Sequence, residues 1–114
     1  FNRGPDILLR NELPKGYRAA MIRNFADKQT RRVWNAEHSR KLATDMQQSA
    51  RRKLRVLNRA KRLDDLAAAR GNRLEQLKGD GKGTYSLRIN DQWRITFRWA
   101  DGDAHDVRIE DCHS

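Results

Sequence analysis

From Leu74 to His113 apolar and polar positions alternate with a period of two, the mark of strands buried on one face. Tyr85, Leu87 and Ile89 fall on one side, Ser86 and Arg88 on the other. After a polar Asn90-Asp91 turn, Trp93, Ile95, Phe97 and Trp99 continue the apolar set, with Arg94 and Arg98 opposite them. A hairpin in this register puts Arg88, Arg94 and Arg98 on one polar face. Three guanidiniums there repel one another unless an anion or acidic neighbours sit close. The face therefore reads either as a phosphate-shaped surface or as arginines solvated or paired with Asp106 and Glu110 of the next strand. Residues 74–77 predict a further strand, joined to the Tyr85 strand through Gly79-Asp80-Gly81-Lys82-Gly83-Thr84. That glycine cluster is a hairpin connection rather than a phosphate loop, because Lys82 is followed by Gly83 and no helix start.

The N-terminal half changes period. Asp27 is placed to cap a helix over residues 28 to about 39, with Val33 and Trp34 turned inward. Thr44 or Asp45 would cap a second helix, on which Met46, Ala50, Leu54 and Leu57 recur at spacings of four, four and three and form one apolar stripe. Arg51, Arg55, Arg59 and Arg62 run beside it at the same spacing. Leu63-Asp64-Asp65-Leu66 predicts a short helical turn, stopped at Arg70-Gly71-Asn72. Helices ahead of a sheet make the fold class α/β (α+β), in one domain with a single modest core for 114 residues. Residues 1–20 stand apart: they begin at Phe1, carry Pro5 and Pro14, and show only the apolar patch Ile7-Leu8-Leu9. They are expected to be an added or flexible N-terminal extension, with the domain proper spanning 21–114 and Met21 as the natural start.

Charge sharpens the picture. The formal net charge is +10 and the pI near 10.6, which favours a polyanionic partner, nucleic acid before acidic lipid. From Arg31 to Arg62, eleven basic residues meet only Glu37 and Asp45, so most of the surplus lies there. The basic helix face has three readings: a solvated surface, a nucleic-acid surface gripping phosphates without reading bases, or a docking face for an acidic protein segment. The second and third are compatible. No apolar run approaches the roughly 20 residues that span a bilayer, and nothing resembles a signal peptide, so no membrane partner and a cytoplasmic location are expected. Cys112 is the single cysteine, which excludes an internal disulfide and a cysteine-based zinc site. His38, His105 and His113 are far apart, with no metal-ligand spacing, so no metal or cofactor is expected.

Several separated motifs, in order, carry a resemblance. Met21-Ile22-Arg23-Asn24-Phe25-Ala26-Asp27, then the run from Asn72 through Leu77-Lys78-Gly79-Asp80, then Gly83-Thr84-Tyr85 through Trp93-Arg94-Ile95, then Gly102-Asp103-Ala104 and Glu110-Asp111-Cys112-His113 resemble the HigB branch of the RelE superfamily. The resemblance implies a RelE-like fold, an N-terminal strand and two helices packed on a twisted, mainly antiparallel sheet. It implies the toxin of a type II toxin–antitoxin pair, a ribosome-dependent mRNA interferase. The partners it implies are the ribosome and mRNA, a HigA-like antitoxin with a helix-turn-helix, and operator DNA reached through that complex.

Cleaving RNA beside its own 2′-hydroxyl needs a base, cations for the charge that builds on the phosphate, and an acid for the departing 5′-oxygen. His113 is the residue type here poised to exchange a proton near neutrality, Lys78 and Arg94 are the electrostatic clamps, and Asp111 orients the histidine or accepts the 2′-proton. The family's lysine, arginine and terminal acidic and histidine residues match these same four positions. Arg51, Arg55, Arg59, Arg62, Lys82, Arg88 and Arg98 are the expected RNA-binding residues. Two departures stand out: Cys112 occupies the position where relatives usually carry tyrosine, and Glu75 the position where some carry histidine. Asp111 shares parity with Val107 and Ile109, so the strand must end or twist there for its carboxylate to join the site. The competing class is a basic module that binds RNA or DNA without cutting it.

Overall fold

In the computed structural model, which describes residues 21–77 and 83–112, the alternating half of the chain forms one antiparallel sheet in sequential order. Its strands are β1 (Glu75–Gln76), β2 (Thr84–Arg88), β3 (Trp93–Ala100) and β4 (Asp103–Asp111). Leu87 pairs with Ile95 and Ile95 with Ile109, so one face is a continuous apolar row. The turn between β2 and β3 is held by Asn90, whose side-chain oxygen accepts from the backbone amides of Gln92 and Trp93.

Against β3, β4 carries a bulge: Thr96 faces Arg108 but Arg98 faces His105, leaving two residues of β4 opposite one of β3. Asp106 sits in it with φ of 53°. Asn24 ties the bulge down, donating to the Asp106 carboxylate at 2.8 Å and accepting from its amide at 3.1 Å. The expected first strand over residues 21–27 is present as two isolated parallel bridges on the free edge of β4, Ile22 to Ala104 and Phe25 to Val107.

Helix α1 (Lys28–Trp34) is capped by Asp27, whose carboxylate accepts from the Thr30 amide at 2.7 Å. It ends five residues short of the expected boundary, because Ala36 turns into the left-handed region with φ of 62°. The following loop makes its own bonds instead, Gln47 clasping the backbone of Ser39 and Leu42. Helix α2 (Thr44–Arg59) starts from Ala43 without a side-chain cap, so neither Thr44 nor Asp45 does the capping expected of it. Its apolar stripe is as anticipated: Met46, Ala50, Leu54 and Leu57 are buried against Leu87, Ile95, Phe97 and Val107 in one core. Each such leucine contributes about 2 kcal/mol of burial. Helix α3 (Leu63–Ala68) and a 3₁₀ turn at Arg70–Asn72 lead into β1. Among the described residues no helix is long and apolar enough to cross a membrane. Residues 1–20, Lys78, Lys82 and His113, all of which carried expectations, lie outside the described residues.

Candidate functional site

The apolar face of the sheet is committed to the helices, so its chemistry lies on the other face. There Arg88 pairs directly with Arg94, and Arg94 with Glu110. Two guanidiniums in adjacent register are not neutralised across the strands. Glu110 accepts instead from Thr96 Oγ1 at 2.6 Å, and Arg88 pairs with the exposed Asp91 in the turn. Arg94 is half-buried, and its Nε, fully shielded from solvent, has no hydrogen-bond partner among the described residues. A cationic group in that state favours any anion that reaches it.

A cleft of about 260 Å³ opens over this pair, lined by Arg73, Glu75, Ser86, Arg88, Arg94 and Cys112 together with the Asn90-Asp91 turn. Only Arg88 and Arg94 of this lining were among the expected site residues; the charged side chains Arg73 and Glu75 were not. Arg73 follows the 3₁₀ turn with φ of 43°, a left-handed conformation a non-glycine residue adopts only when its surroundings hold it. Asn72 supplies that hold. Buried, it donates to the Leu66 carbonyl at 3.0 Å and accepts from Lys53 Nζ at 2.6 Å, pinning the turn between α3 and α2. Burial, and then the charge of Arg52, push the Lys53 ammonium below its ordinary pKa. Glu75 reaches the cleft because it pairs with Ser86 and so shares its face. The signal that pointed to it was the resemblance, in which Glu75 stands where some relatives carry histidine.

The carboxyl-terminal residues arrive beside the same cleft. The Cys112 amide donates to the Gln92 carbonyl at 2.6 Å, and Gln92 Nε2 donates to the Asp111 carboxylate at 3.0 Å. β4 runs through Asp111, which pairs with Trp93 and therefore follows the opposite parity from Arg94 and Glu110. The structure thus brings Arg94, Arg88 and the Cys112 end of β4 together and sets the Asp111 side chain against Gln92. Arg98 lies four residues along β3, beside His105, with Asp106 at 3.4 Å. Leu77, which precedes Lys78, donates its amide to Thr84, at the other end of β2 from Arg88.

Of the expected helical RNA contacts, Arg55 and Arg59 are exposed on α2 and Arg51 is half-buried. Arg62 does not belong to that row: α2 ends at Arg59, the chain turns extended at Ala60, and Arg62 begins α3 with Asp64 at 3.3 Å. No group of three or more His, Cys, Asp or Glu side chains among the described residues converges as metal ligands.

Comparison with known proteins agrees with this arrangement. The family described as the RelE-like toxin of the type II toxin–antitoxin system HigB matches residues 23–113. The chain is 35% identical over 91 residues to Toxin HigB-1 of Vibrio cholerae serotype O1, covering 79% of this chain and 96% of that protein. A shorter stretch of 41 residues is 44% identical to Endoribonuclease HigB of Proteus vulgaris, covering 36% of this chain and 45% of the relative. With a family match spanning most of its length, a bulged antiparallel sheet and a cationic cleft at the sheet's carboxyl-terminal corner, this chain belongs to the RelE-like HigB toxins of type II toxin–antitoxin systems.

Proposed function

We propose that the protein is an endoribonuclease that cuts mRNA on the ribosome, and that the cleft of Arg73, Arg88 and Arg94 receives the scissile phosphate. The observation that carries this reading is the Arg88–Arg94 pair, two guanidinium groups side by side of which only Arg88 has an acidic partner among the described residues, the exposed Asp91, with a shielded Arg94 Nε and a third arginine at the rim. Such a cluster stabilises the extra negative charge of a pentacoordinate phosphorane more than the ground-state diester. The relative named an endoribonuclease supports the same chemistry.

Proton transfer needs no metal in this scheme. Glu75 lines the cleft and has no polar partner among the described residues, which supports it as the carboxylate that takes the 2′-proton. His113 is assigned to protonate the departing 5′-oxygen, and Lys78 to neutralise charge on the phosphate. Asp111, hydrogen-bonded to Gln92, positions the tail that carries His113. Antitoxin binding, implied by the family, suppresses the activity; a HigA-like helix-turn-helix antitoxin would also bring operator DNA to the complex.

Purified protein added to programmed ribosomes tests the reading. Transcript fragments ending in 2′,3′-cyclic phosphate, absent with Arg94→Ala and with His113→Ala, are the expected result. Intact transcript with a salt-sensitive gel shift would instead make the protein a basic binder that does not cut.

A further inference from the structure

The outer face of α2 lies away from the cleft and carries a different chemistry. Arg52 lies three and four residues before Arg55 and Val56, and Arg59 four and three residues after them, so the four form one stripe on the helix. All four are exposed, Val56 at 41%, and it is the one large apolar side chain exposed among the described residues. Among the described residues Arg52 bonds only to Ser49 Oγ, at 3.3 Å, and Arg55 and Arg59 have no acidic partner. Beside Val56 lies an open hollow of about 470 Å³, lined also by Arg59, Ala60, Lys61, Asp65 and Leu66. The acid in this hollow is already engaged, since Asp65 accepts from the Lys61 and Arg62 amides at 2.9 and 3.2 Å.

We propose that this stripe is a docking surface for an acidic segment of a partner protein, one that seats an apolar side chain in the hollow beside Val56. Charge complementarity selects a polyanion. The apolar centre selects protein over RNA, because a phosphate backbone neutralises Arg52, Arg55 and Arg59 but offers nothing to cover Val56 and the floor formed by Ala60 and Leu66. A segment with carboxylates around one leucine-sized anchor meets both demands, an apolar centre inside a charged rim. The family's antitoxin is a protein, and this is the surface that would take such a segment from it. The proposal assigns Arg55 and Arg59 to protein rather than RNA and leaves the sheet-face cleft to RNA.

Two labelled peptides of about sixteen residues, both helical and equally acidic, separate the possibilities; one carries leucines along a single stripe and the other serines in their place. Each is titrated against the full chain at about 0.15 M salt, with a short A-form RNA duplex titrated in parallel. The leucine peptide is expected to bind about tenfold tighter than the serine peptide. Val56→Ser should abolish that ratio while leaving duplex affinity and transcript cleavage unchanged, and Arg55→Glu with Arg59→Glu should weaken both peptides. A ratio near one for the wild type, or a ratio unaffected by Val56→Ser, overturns the proposal. Tighter binding of the duplex that falls with Val56→Ser overturns it in favour of RNA. Cleavage by the Val56→Ser protein is read separately, so failure here is distinct from failure of the nuclease reading.

Discussion

Arg94 owes its assigned role to where its charge is kept. Its Nε is shielded while Arg88 sits across the ladder, so its favourable electrostatics wait for an incoming phosphate. Arg94→Ala is expected to reduce cleavage by about 10² to 10³, the range for removing one preorganised donor. Arg94→Lys restores only part of it, since an ammonium cannot reproduce the planar fork. The two carboxylates divide similarly. Glu75→Gln, nearly isosteric, is expected to slow cleavage by about 10² or more and to remove the acid limb of the pH–rate profile. Asp111→Asn, whose side chain meets Gln92, should cost less and leave that limb in place. Equal losses, with the limb intact in both, would take the base role away from Glu75.

At the scale of elements, the cleft depends on how the α3 segment is joined to β1. Asn72 is buried and bridges Leu66 and Lys53, so Asn72→Ala leaves a buried carbonyl and an ammonium without their partner. A loss of about 1–3 kcal/mol in urea unfolding is expected. Cleavage should fall further than the stability loss explains, because Arg73 then loses the turn that holds its left-handed backbone. Unchanged activity in a destabilised protein would remove Arg73 from the site. Helix α2 shows the same dependence on junctions. Its buried stripe followed from the spacing of Met46, Ala50, Leu54 and Leu57, but the arginine row was cut at Arg59 by the extended turn at Ala60, which no periodicity announces.

Across the whole molecule, the β4 bulge joins three distant parts of the chain: residues 21–25, the middle of β3, and β4 itself. Asp106 anchors it, and the hydrogen bond from Asn24, followed by Arg98, holds its carboxyl below the usual 3.8. A carboxylate with a depressed folded-state pKa stabilises the fold above its unfolded value and loses that contribution as pH falls through the folded one. Thermal midpoints measured from neutral pH down to about pH 2.5 should therefore fall less for Asp106→Asn than for the wild type. The difference is expected to be small, because the Asp106–Arg98 pair is about half exposed and solvent screens it. Parallel curves would show that the bulge is held by Asn24 and the backbone rather than by the charge.

What the sequence settled by itself was everything that depends on the period of one element. The two faces of the hairpin, the polar face shared by Arg88, Arg94 and Arg98, the α2 core stripe, the concentration of positive charge and the HigB resemblance were legible from residue spacing and order. Tertiary structure decided what lies between elements. It put Arg73 and Glu75 into the cleft, turned Asp111 toward Gln92, dropped Arg62 from the arginine row and left Val56 uncovered. The physical reason is that periodicity fixes the direction of a side chain relative to its own backbone. Whether two such directions meet depends on caps, turns and a bulge, and a single residue such as Ala36, Ala60 or Asp106 redirects the chain there at little local cost.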